Sequence, residues 1–88
     1  MDRPDSVINF VSVHHVMRAE HVFKEHGLAH EIIPTPRDLS SDCGIAIALS
    51  GAVLKQALDL LAGAGVEVEA LYRRRGSTYE RMPPVSPC

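Results

Sequence analysis

Two amphipathic stretches, each flanked by strand-like segments, constrain this chain more than any other feature. From Val13 to His26 the apolar residues Val16, Ala19, Val22 and Phe23 recur at spacings of three and four, which is one face of a helix. Ser12 before it suits an N-cap, and Gly27 after it suits the C′ position, where φ > 0 is needed. A second stripe of Val53, Leu54, Ala57, Leu58 and Leu61 follows Ser50-Gly51 and closes at Gly63 and Gly65. Ser6 to Ser12 is rich in β-branched and aromatic residues and predicts a strand. Leu28 to Ile33 predicts a second strand, ended by Pro34 and Pro36, which cannot donate to a ladder. Gly44 to Leu49 lacks polar alternation, as a strand buried on both faces or at a sheet centre does. Val66 to Tyr72 alternates apolar and acidic residues, the pattern of a strand with one wet face.

The order is therefore β-α-β-β-α-β. Each helical stripe needs a sheet face to cover it, and the simplest solution is an α+β, ferredoxin-like two-layer sandwich. With right-handed crossovers, the expectation is a four-stranded antiparallel sheet of order 4-1-3-2 with two helices on one face. Eighty-eight residues make one domain. We place it at residues 1–73. Residues 74–88 hold three prolines, three arginines and few large aliphatics, and are expected to form a disordered tail. With two Phe, two Tyr and no Trp, the core must be mainly aliphatic.

Charge and cysteine content exclude several classes of function. A net charge of −2 offers no global basic field for nucleic acid, and the one basic cluster is Arg73-Arg74-Arg75. Cys43 and Cys88 make neither a disulfide framework nor a C-x-x-C or zinc pattern. The charged start, Met1 to Asp5, leads into no long apolar stretch, and the run Ile45 to Leu49 is far short of the about 20 residues that cross a bilayer. The expected setting is a reducing cytoplasm, without membrane or nucleic-acid partners. An open edge at strand 2 or strand 4 leaves room for a homodimer.

The predicted topology gives Cys43 a definite neighbourhood. Strand 3 runs beside strand 1 and opposite to it, so its start lies where strand 1 ends and helix 1 begins. Cys43 is expected to face the Ser12–His15 corner across about 5 Å, one strand spacing. A helix N-terminus carries about half a positive charge and bare N–H donors, both favouring a thiolate. A protonated His14 or His15, or Arg37 from the loop, pushes the same way, while Asp42 opposes it. Adjacent helical residues point about 100° apart, so His14 and His15 cannot both face the thiol. Against this stands a plainer reading, because a cysteine before an apolar strand is most often a packing residue. His14-His15 is likewise most often a solvated first turn. His21, His26 and His30 are scattered, and no carboxylate or close second ligand completes a metal set.

Two segments carry a family resemblance. Phe10-Val11-Ser12-Val13-His14-His15-Val16-Met17-Arg18-Ala19-Glu20, and Ile33-Pro34-Thr35-Pro36-Arg37-Asp38-Leu39-Ser40-Ser41-Asp42-Cys43-Gly44-Ile45-Ala46, resemble a small bacterial family labelled DUF3343 and described as "putative selenium/sulfur carrier protein-like". Pro34, Pro36, Arg37, Ser40, Ser41, Cys43 and Gly44 match its loop motif, and Gly65-Val66 through Leu71-Tyr72 match its closing strand. His14 departs from the small or hydroxyl residue common in the family. The resemblance covers about residues 6–73. It implies a carrier that holds sulfur or selenium on Cys43 as a persulfide or selenopersulfide. A protein donor and a protein acceptor would be its partners, and no cofactor or metal would be needed. The candidate binding residues around Cys43 are Arg37, Ser40, Ser41 and Gly44 from the loop motif, with Ser12, His14 and His15 at the helix start that the topology places opposite it.

Two other readings remain open on the residues alone. One is a non-catalytic binding module for a small molecule or protein, which the fold also suits. The other is a thiol redox protein in which Cys88, on its tail, reaches back to an oxidised Cys43.

Overall fold

The computed structural model describes residues 4–36, 39 and 44–82. The elements are β1 (Ser6–Phe10), α1 (Val13–Glu25), β2 (Glu31–Pro34), β3 (Ile45–Leu49), a 3₁₀ turn at Gly51–Val53 leading into α2 (Leu54–Gly63), β4 (Val68–Arg75) and β5 (Thr78–Met82). The strands form one antiparallel sheet in the order β2-β3-β1-β4-β5. The fold is thus α+β with two helices and a five-stranded sheet. The four expected strands are neighbours as anticipated, and a fifth strand extends the β4 edge.

Strand alternation assigns the core. On one face Ile8 lies between Ile47 and Leu71. That face meets the stripes Val16, Ala19 and Phe23 of α1 and Leu54, Ala57 and Leu61 of α2. Fully burying each large side chain here contributes about 1.5–3 kcal/mol, so this cluster dominates stability. Ser12 begins α1 from an extended backbone, and its hydroxyl accepts the His15 amide at 3.4 Å. Gly27, at φ +64, ends the helix as its position in the sequence required.

The opposite sheet face is also covered. Val7, Ala46 and Ala48 form a second, smaller cluster with Leu39 from the β2–β3 connection, and Ile33, Tyr72 and Tyr79 pack around it. Every residue of β1 is consequently buried. The lack of polar alternation in β3 has the same cause.

The expected tail requires correction over residues 74–82. β4 continues to Arg75, and β5 returns beside it with Leu71 opposite Met82 and Arg75 opposite Thr78. Gly76-Ser77 makes a two-residue turn in which only the glycine has positive φ, +62, the type II′ arrangement that suits strand twist. Thr78 Oγ1 donates to the Arg75 carbonyl at 3.1 Å and closes it. The alternation of β5 sends Tyr79 to the second cluster and Met82 to the first. The Arg74 amide donates to the Asp5 carbonyl at 2.7 Å, which carries the β1–β4 ladder beyond Ser6. The part of the expected tail past Met82, including Cys88, lies outside the described residues.

Candidate functional site

The β2–β3 connection carries most of the expected site residues. Arg37, Ser40, Ser41 and Cys43 lie outside the described residues, whereas Thr35, Pro36, Leu39 and Gly44 are described. The Thr35 amide donates to the Gly44 carbonyl at 3.0 Å, one step past the last β2–β3 pair, Pro34 with Ile45. The two ends of the loop are therefore held together by the sheet itself. Near its middle the Leu39 amide donates to the Pro36 carbonyl at 2.9 Å. The Leu39 side chain is buried against Val7, Ala46 and Ala48. One hydrogen bond at the base and one apolar contact on the sheet thus fix the described residues Thr35, Leu39 and Gly44 of this connection.

Gly44 is exposed and has φ +73, and a Cβ placed on it would meet nothing within 4 Å among the described residues. Glycine is required here by the backbone conformation rather than by lack of room. Asn9 lies opposite Ala46, so Gly44 and the start of β3 sit at the sheet end where β1 finishes and α1 begins.

The histidines divide. His14 is exposed in the first turn of α1. His15 turns the other way: its Nδ1 accepts the Glu67 amide at 2.9 Å, just before β4. β4 flanks β1 on the side away from β3, so His15 is committed to the α2–β4 connection and not to the start of β3. Arg18 reinforces this attachment by donating to the Ala64 carbonyl at 3.0 Å, at the end of α2. Ser12 spends its hydroxyl on its own helix cap. His21 pairs with Glu25 at 2.6 Å on the exposed side of α1. His30 donates from Nδ1 to the Leu28 carbonyl at 2.9 Å, and its ring centre lies 5.4 Å from that of Phe23. Among the described residues, no three His, Cys, Asp or Glu side chains gather as a metal site would require.

Two polar residues near this loop were not singled out by sequence reasoning. Asn9 is completely buried in β1, on the sheet face that Leu39 helps to cover. Its signal was available, since it is the one strongly polar side chain between Val7-Ile8 and Phe10-Val11. Thr35 buries its hydroxyl oxygen at the foot of the loop, and that oxygen has no hydrogen-bond partner among the described residues. A buried, unsatisfied hydroxyl is unfavourable.

A family model described as "Putative Se/S carrier protein-like" matches residues 5–73, which takes in both helices, the whole β2–β3 connection and β4 as far as Arg73. The chain belongs to that family. A curated protein of Aquifex aeolicus (strain VF5), described as "Putative sulfur carrier protein", is 30% identical over 84 residues. The alignment covers 93% of this chain and 43% of that relative, so the chain spans less than half the length of the curated protein it matches. No solved structure matches the chain. Within the Se/S carrier-like family assignment, the matched region includes every candidate site residue named above. β5 lies beyond its end. No helix among the described residues is long and apolar enough to cross a membrane.

Proposed function

We propose that this protein carries sulfur or selenium on Cys43 as a persulfide or selenopersulfide and delivers it to an acceptor protein. The family match across residues 5–73 is the observation that carries this reading. The closure of the loop by Thr35 and Gly44, and its anchoring by Leu39, support it. A carrier thiol must meet two partners in turn, and a short loop fixed at both ends can present the same atom to each.

The chemistry is an exchange of one atom. The Cys43 thiolate attacks the terminal sulfur of a donor persulfide. A new S–S bond forms as the donor S–S bond breaks, and the donor leaves as a thiolate. An acceptor nucleophile then attacks the terminal sulfur on Cys43, and Cys43 departs as a thiolate. The transferred sulfur keeps its oxidation state in both steps, so neither step calls for an outside oxidant or reductant. The exposed His14 and the open space around Gly44 leave a partner room to approach. Incubation with a cysteine desulfurase and cysteine tests this: the mass of one sulfur atom should appear on Cys43 and be absent from Cys43→Ala.

The direction of β5 favours a second reading, a thiol redox pair. β5 runs antiparallel to β4 and therefore toward the sheet end where β3 begins. Six residues beyond Met82 can span up to about 20 Å. Met82 is level with Ile47, so the path to Gly44 crosses three strand spacings, about 14 Å, and three residues along β3, about 10 Å, or about 17 Å in all. Mass spectrometry after mild oxidation separates the readings, because an intramolecular Cys43–Cys88 disulfide belongs only to the redox pair.

A further inference from the structure

The fifth strand turns the basic end of the sequence into an organised surface. Tyr72 of β4 lies opposite Arg81 of β5, and Arg74 opposite Tyr79. Directly opposed residues of an antiparallel pair point to the same side, as do residues two apart along a strand. Tyr72 and Tyr79 both pack beside Val7 and Leu39, on the sheet face away from the helices. All four side chains therefore share that face, with tyrosine and arginine alternating in both directions. The two tyrosines are diagonal neighbours, about 7–8 Å apart. Both are half-buried and rest on the apolar cluster, while Arg74 and Arg81 are exposed.

Charge is concentrated in the same place. Leu71 to Met82 contains four arginines and a single acid, Glu80, in a chain whose net charge is −2. Glu80 is already engaged by Arg75, with Arg75 Nε 3.1 Å from its carboxylate on the opposite face of the hairpin. Arg74 Nε donates to the Gly76 carbonyl at 3.0 Å, which holds the guanidinium in place and leaves its terminal nitrogens to other acceptors. Arg74 and Arg81 place two positive charges on this face, and the acid beside them is Asp5, whose carbonyl accepts the Arg74 amide and whose carboxylate accepts the Gly51 amide.

We infer that the Tyr72–Arg74–Tyr79–Arg81 face binds single-stranded nucleic acid, with Arg74 and Arg81 contacting phosphates and two bases stacking on Tyr72 and Tyr79. The arginines alone would suit any polyanion. The interleaved aromatic rings, supported from beneath by a sheet, favour bases, because a planar ring on a sheet surface offers the stacking platform that single strands use. The absence of a global basic field argues against broad affinity for duplexes and is consistent with a small local site. This inference stands apart from the carrier reading and does not require Cys43 to react.

The test is fluorescence anisotropy of the full chain with a labelled mixed-sequence RNA 12-mer, alongside unlabelled single-stranded DNA, duplex DNA and polyglutamate as competitors. Binding to the single strands is expected at low salt, weakening as salt rises. Arg81→Gln should reduce the slope of log affinity against log salt by about one phosphate contact. Tyr79→Leu should weaken binding about tenfold, the scale of one lost stacking contact, while Tyr79→Phe should leave it nearly unchanged. Circular dichroism of each variant confirms folding, and the Arg81→Gln and Tyr79→Phe arms remain informative even if Tyr79→Leu unfolds. The inference is overturned by absence of binding at low salt. It is equally overturned if polyglutamate competes as well as the single strand and Tyr79→Leu binds normally, since the face would then be an acidic-protein surface.

Discussion

The Thr35 amide and the Gly44 carbonyl meet at 3.0 Å, and this single bond closes the loop that carries Cys43. It extends the β2–β3 ladder past Pro34 to Thr35 and Gly44. The backbone of Gly44 completes the closure with φ +73. Replacing Gly44 by alanine introduces no clash with the described residues but forces a Cβ into the left-handed region, at a cost of about 1–2 kcal/mol. We expect Gly44→Ala to lower the urea midpoint accordingly, and Gly44→Asn to lower it less because asparagine tolerates this region better.

Leu39 is the apolar anchor of the same loop. Truncation to alanine removes a buried side chain from the cluster of Val7, Ala46 and Ala48. We expect Leu39→Ala to destabilise the protein by about 2–3 kcal/mol, the low end of the range for Leu→Ala because the site lies under a loop that can settle. Hydrogen exchange at the Thr35 amide should quicken in this variant more than exchange at amides of β1.

His15 belongs to the fold. Its Nδ1 accepts the Glu67 amide at 2.9 Å, and removing the ring leaves that exposed amide to water. His15→Ala should cost about 1 kcal/mol in stability and leave sulfur loading of Cys43 unchanged at a temperature where the variant is folded. A loading defect in folded His15→Ala would show that His15 serves the thiol after all.

Gly76 decides whether β5 forms. A residue with a Cβ is disfavoured at the φ +62 of this two-residue turn. We expect Gly76→Val to weaken the pairing of Arg75 with Thr78 and to raise hydrogen exchange across β5. The β1–β3 amides should keep their protection, because the larger core beneath the helices is untouched.

Much of this architecture was legible in the residues. The stripes Val16-Ala19-Phe23 and Leu54-Ala57-Leu61 specified two one-sided helices, and Ser12 and Gly27 marked the limits of the first. β5 was not legible from composition, because Thr78 to Met82 carries only Tyr79 and Met82 as large apolar side chains. Such a strand cannot stand alone, and forms by adding to an existing sheet edge through a Gly-Ser turn. That turn signal was present but was overshadowed by the neighbouring arginines and the prolines that follow. The orientation of His15 was also beyond the sequence, since the helix phase allows it to face either neighbour of β1. Only the position of the Glu67 amide selects the β4 side. Asn9 shows the converse, a polar residue in an apolar strand whose burial follows from the loop folding over the second sheet face.

The carrier reading stands or falls on one covalent event at one atom. Intact-protein and peptide mass spectrometry after incubation with a cysteine desulfurase and cysteine measures it directly. The account predicts the mass of one added sulfur on the peptide containing Cys43, removed by a thiol reductant and absent from Cys43→Ala. Loading that fails on the folded wild-type protein, or that persists unchanged in Cys43→Ala, would contradict it.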